Sequence, residues 1–187
     1  MKILYLFIIF LFASACNKNN HRQTEKRSDK NQSKESLAQK QLMIANEFYE
    51  KDQFEKSAKE FTNTIRLDST IGEAYFKLAY SLALTKKTLY EEAKEKNKKM
   101  TLEFINQKDT SATTIINNFI KAAQLNYRPS ASYYNAGIYT STFHLDGSSA
   151  IKLFNKSLEL KPNQPEVILM IENIKKDMEA DSSSQVK

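Results

Sequence analysis

Apolar and polar positions divide the chain into three stretches. Ile3 to Phe12, "ILYLFIIFLF", is an unbroken apolar run. Asn17 to Lys34 holds no large aliphatic or aromatic residue. From Ser36 to Ala180, apolar residues recur at three- and four-residue spacing, the rhythm of one helix face, and strand alternation is nowhere sustained. Breakers are few in this third stretch: Gly72, Gly137 and Gly147, and Pro129, Pro162 and Pro165. Its many Lys, Glu, Ala and Leu residues favour helix by propensity as well as by pattern. An all-α fold is therefore expected, and the stretch is long enough for one good core.

The helical stretch repeats itself. "FTNTIRLDS" (Phe61 to Ser69), "FIKAAQLNY" (Phe119 to Tyr127) and "FNKSLELKP" (Phe154 to Pro162) each place a Phe, a small residue three on and a Leu three further. Eleven residues after each small residue stands an apolar one: Thr64 to Tyr75, Ala122 to Tyr133, Ser157 to Ile168. This register resembles the tetratricopeptide repeat, a helix–turn–helix of about 34 residues. In the first unit Ile44, Ala45, Phe48, Ser57 and Phe61 fill the pattern, with Gln41 and Ser69 in its Trp and Pro places. In the last, Tyr133, Ala136, Gly137, Ala150, Phe154 and Pro162 fit, with one extra residue in the turn.

The middle unit opens with Tyr75, Leu78, Ala79 and Leu82 and closes with Phe119, Ala122 and Pro129, but it is too long. Its surplus matches Lys86 to Asp109, itself helical in pattern, with Leu89, Ala93, Met100 and Phe104 on one stripe. An extra helix there must break the alternation of the array or cross over it, and the sequence leaves both open. After the last unit, Pro165 and Glu166 start a closing helix with Val167, Ile171, Ile174 and Met178 as its stripe. The expected fold is an all-α, short solenoid of helical hairpins: about three units, the middle one with an inserted helix, plus a C-terminal capping helix.

The apolar start is too short to span a bilayer, which takes ~20 residues, and it is followed by the small residues Ala13, Ser14 and Ala15. It reads as an export signal. The next residue is Cys16, the chain's one cysteine. "FASAC" resembles the lipobox of bacterial lipoproteins, although Ala13 stands where that pattern usually has Leu. The resemblance implies that the Cys16 sulfur receives a diacylglyceryl group and that Cys16 becomes the mature N-terminus. An ordinary signal peptide with a chance cysteine, or an uncleaved anchor, are the other readings. Several acyl chains anchor a protein stably. Asn17 rather than Asp after the cysteine leans toward the outer membrane. The expected organisation is a signal at 1–15, a lipidated cysteine and disordered basic tether at 16–34, a helical domain at 35–180 and a frayed tail at 181–187.

Charge follows that division. The chain carries a net +6, and the tether alone has six cations against Glu25 and Asp29, so the helical domain is nearly neutral. That argues against nucleic acid as a partner, which calls for a basic face on a folded domain. Catalysis is not expected either. His21 falls in the tether, and no Cys/His set suits zinc or any other metal. His144, near Asp146 and Ser141 or Ser148, sits in a turn, where a lone histidine is more often structural. No cofactor motif and no small-molecule substrate are evident.

The repeat resemblance implies binding. In that family the first helix of each hairpin lines a groove for peptide segments or partner helices. Carried over, the groove positions are Leu42, Asn46 and Tyr49; Phe76 and Tyr80; and Tyr134, Ile138 and Ser141. The expected function is a lipid-anchored envelope scaffold that binds protein or peptide partners. The alternative is an enzyme or enzyme accessory whose site the sequence does not reveal.

Overall fold

A computed structural model describes residues 34–95, 112–144 and 146–184. Cys16, the apolar start, the tether up to residue 33 and the second half of the expected insertion lie outside these residues. The fold is all-α and solenoid-like, with consecutive helices packed on one another and no strand among the described residues. The helices are α1 (34–50), α2 (Phe54–Leu67), α3 (Gly72–Glu95), α4 (Ala112–Gln124), α5 (Pro129–Tyr139), α6 (Gly147–Leu160) and α7 (Pro165–Ser184). None of them is long and apolar enough to cross a membrane.

The repeated residues form the spine. Phe61, Phe119 and Phe154 are fully buried, and so are the small residues three places on, Thr64, Ala122 and Ser157. Each Phe fills the space between two helices, and each small residue lets them approach. Position by position the shielding then fades toward the end of the array. Tyr75 and Tyr133 are half-buried, whereas Ile168, their counterpart, is exposed. Of the closing stripe, Val167 and Ile171 are buried and Ile174 is half-buried, while Met178 is exposed.

Turn chemistry sets the hairpins. At the end of α1, Asp52 adopts φ 56° while its N–H donates to the Tyr49 carbonyl and that of Gln53 to Phe48. At the end of α4, Asn126 adopts φ 58°, its N–H donating to Ala123 and that of Tyr127 to Ala122. Both are Schellman closures, in which a left-handed residue satisfies the last carbonyls of a helix. Gln164 closes the third hairpin with side-chain bonds instead: its Nε2 donates to the Ser157 carbonyl (3.1 Å) and the Lys161 carbonyl (2.7 Å).

Three expectations are refined. The segment from Lys86 to Glu95 is no separate element: it prolongs α3, since nothing from Gly72 to Glu95 stops a helix. The alternation also survives. The start of α3 at Gly72 lies against Leu125 and Tyr127 beyond the end of α4, so α3 and α4 remain an antiparallel pair. The extra residue of the third unit is absorbed by a π-helical turn, Thr140–His144, which fits one more residue per turn than an α-helix. At the C-terminus α7 runs to Ser184, past the expected limit of 180, because no Gly or Pro follows Pro165.

Candidate aromatic binding face

The first helices of the hairpins carry a band of rings. On α3, Phe76 and Tyr80 lie 5.0 Å apart between centroids, and both meet Phe119 of α4 edge-on, at 5.6 and 5.2 Å. On α1, Tyr49 meets Phe54 at 5.9 Å and Phe61 at 6.2 Å. On α5, Tyr134 tilts against Phe154 at 6.1 Å. Such offset and edge arrangements suit the ring quadrupole. Tyr49, Tyr80 and Tyr134 are all half-buried, so each has one side in the core and another open.

These tyrosines sense one another. Burial first, then the neighbouring Tyr80, holds the Tyr49 phenol above its ordinary range, with Asp52 and Tyr127 adding to the rise and Arg128 opposing it. Burial, then Glu166, then Tyr80 raise Tyr134. Burial and Tyr80 raise Tyr139. Tyr80 thus bears electrostatically on rings of both α1 and α5. The raised phenols stay protonated and can donate hydrogen bonds near neutral pH. They also make a prediction. A phenol with a raised folded pKa stabilises the fold fully below the unfolded value, ~10, and less as pH climbs through the folded one. Lys86, pushed down by burial, acts in the opposite sense until pH has passed its unfolded value of about 10.5, but it is one group against several phenols. The melting temperature should therefore decline above about pH 10. An unchanged value up to about pH 12 would contradict the shifts.

The sequence-derived residues fall into three groups. Tyr49, Tyr80 and Tyr134 are half-buried on the first helices of their hairpins, with Ile138 half-buried one turn on from Tyr134. Leu42 and Phe76 are not groove surface: both are buried core, Leu42 against Ala58 and Phe61, and Phe76 beneath Tyr127 and Arg128. Asn46 and Ser141 are occupied locally. Asn46 Nδ2 donates to Glu73 (3.3 Å) and its Oδ1 accepts from Lys77 (2.8 Å), while Lys77 and Glu73 pair at 2.7 Å. This trio pins α1 to α3. Ser141 Oγ donates to the Ile138 carbonyl at 2.9 Å.

Other residues join the face from places the repeat register does not scan. Tyr127 and Arg128 come from the α4–α5 connection, with the Tyr127 ring 5.5 Å from Phe76. Glu166 of α7 bears electrostatically on Tyr134, and Leu169, one turn on, is 56% exposed. Carrying the register into α7, where Ile168 matches Tyr75, makes Leu169 the counterpart of Phe76, so this one was findable.

A second feature lies elsewhere. A cleft of about 550 Å³ is lined by Thr113, Asn117, Thr140, Asp146, Ser149 and Lys152, with Ile116, Ile120 and Leu153 as its apolar wall. Two of its polar groups serve helix ends: Asp146 Oδ1 accepts from the Ser149 N–H (2.9 Å) and Thr140 Oγ1 donates to the Ala136 carbonyl (2.8 Å). No cluster of metal-ligating side chains occurs among the described residues. In comparisons with known proteins, no family model and no curated protein matches the chain.

Proposed function

We propose that the protein is a lipid-anchored scaffold of the bacterial envelope, probing partners with the aromatic face of α1, α3 and α5. The observation that carries this reading is the set of half-buried tyrosines, Tyr49, Tyr80 and Tyr134, one from each hairpin and each packed on that hairpin's buried Phe. Half-buried rings on a rigid array offer large contact area at low entropic cost, as binding surfaces require. The resemblance to tetratricopeptide repeats supports a peptide or a partner helix as the bound species. The lipobox-like "FASAC" supports anchoring through Cys16.

A second reading rests on the 550 Å³ cleft between α4 and α6, whose Lys152, Asn117 and Thr113 suit a small polar ligand and thus an enzyme-related role. One experiment separates the two. Photo-crosslinking residues are placed singly at Tyr134, Leu169 and Asn117 of the full chain in cells, with Cys16→Ser as a further arm. Protein adducts from positions 134 and 169, and release of the Cys16→Ser chain from the membrane pellet, are expected. Adducts from 117 alone would favour the cleft. A Cys16→Ser chain still in the pellet would remove the anchor.

A further inference from the structure

Two cations stand on the aromatic face, and they differ in kind. Lys77 sits 5.6 Å over the Tyr49 ring, but its charge is met by Glu73 at 2.7 Å. Arg128 is exposed, and its guanidinium lies 5.7 Å from the Phe76 ring centroid and 5.9 Å from that of Tyr127. Among the described residues no carboxylate pairs with it. A guanidinium held against rings keeps its in-plane N–H donors along its edge, a fork that fits a carboxylate bidentately.

The backbone holds that group in a costly place. Arg128 has φ 43°, a left-handed conformation disfavoured for a non-glycine residue and more so before a proline, here Pro129. The Asn126 closure on one side and Pro129 on the other fix it there. The site also has two flanks. Arg128 joins the second hairpin to the third, with Tyr49 and Tyr80 on the hairpins before it and Tyr134 on the one after it.

We infer that Arg128 anchors an acidic side chain within an extended peptide whose neighbouring apolar residues lie on Tyr80 and Tyr134. The inference rests on the peptide-binding reading above and adds the chemistry of the partner. Among the described residues of the face, one guanidinium without a second free cation matches the single charge of a carboxylate. Ring surface on both flanks calls for a carboxylate inside the segment rather than at its end.

The test uses the full chain and two libraries of acetylated, amidated decapeptides, identical except for Glu or Gln at the centre, with aromatic and aliphatic flanks. Blocked ends exclude terminal carboxylates. Binding is read by fluorescence anisotropy. The Glu series should bind about tenfold tighter, and Arg128→Gln should remove that preference at an unchanged melting temperature. Arg128→Lys, which keeps the charge but loses the fork, should retain part of it, and this arm decides should the Gln variant not fold. Equal binding of the two series, or a preference that survives Arg128→Gln, overturns the inference and leaves the peptide reading standing. Failure of both series to bind overturns both.

Discussion

Phe119→Ala should lower stability by about 3–5 kcal/mol, the largest loss we expect from a single truncation in this chain. Phe119 is fully buried in the middle hairpin, and its ring touches three others: Phe76 at 5.6 Å, Tyr80 at 5.2 Å and Tyr139, stacked, at 5.9 Å. Those rings belong to α3 and α5, so one side chain ties its own hairpin to the next. In an array where each unit touches its neighbours, losing the middle contact weakens both halves of the coupling. The thermal transition followed by far-UV circular dichroism should therefore move down by roughly 10 °C or more and broaden. Leu169→Asp, at an exposed site, should stay within about 0.5 kcal/mol and serves as the control. A small shift for Phe119→Ala would mean the cavity collapses without strain and that α3 and α5 are joined by other contacts.

The sequence repeat made this core readable. Phe61, Phe119 and Phe154 recur with small residues three places on, and a packing rule that local recurs visibly, so the positions could be found without long-range knowledge. The face was less legible. A register assigns positions by analogy with helices that have neighbours on both sides, and it cannot tell a ring that lines a surface from one that another segment covers. Phe76 illustrates this. Its register position is that of Tyr134, but the left-handed connection at Asn126 and Arg128 folds Tyr127 over it. Arg128 itself was invisible for the same reason, since a connection has no periodicity. The prolongation of α3 was hidden differently: the charge-rich run after Lys86 looked like a new element, whereas uninterrupted helix propensity simply carried the old one onward.

Gly137 provides the second large effect, and one whose sign distinguishes packing from propensity. Gly137→Ala adds a good helix former in the interior of α5, worth up to ~1 kcal/mol in isolation. A Cβ built there, however, would stand 2.6 Å from Phe154 Cε1 and 2.8 Å from Cδ1. The ring has nowhere to go. Phe154 is fully buried and shares its cluster with Ala150, Val167 and Ile171, so α5 and α6 must separate instead. Overpacking of this kind costs about 1–3 kcal/mol, which set against the propensity gain leaves a net loss of up to about 2 kcal/mol. The same separation would tilt Tyr134 and Ile138, carried on α5 either side of Gly137, away from Tyr80, so binding to the face should weaken along with stability. The double-mutant cycle with Phe154→Leu decides the cause. Leu removes the ring edge that the new methyl meets, and in that background Gly137→Ala should become neutral or stabilising. A rise in melting temperature for Gly137→Ala alone would show that α5 and α6 are not in the close contact that the glycine permits.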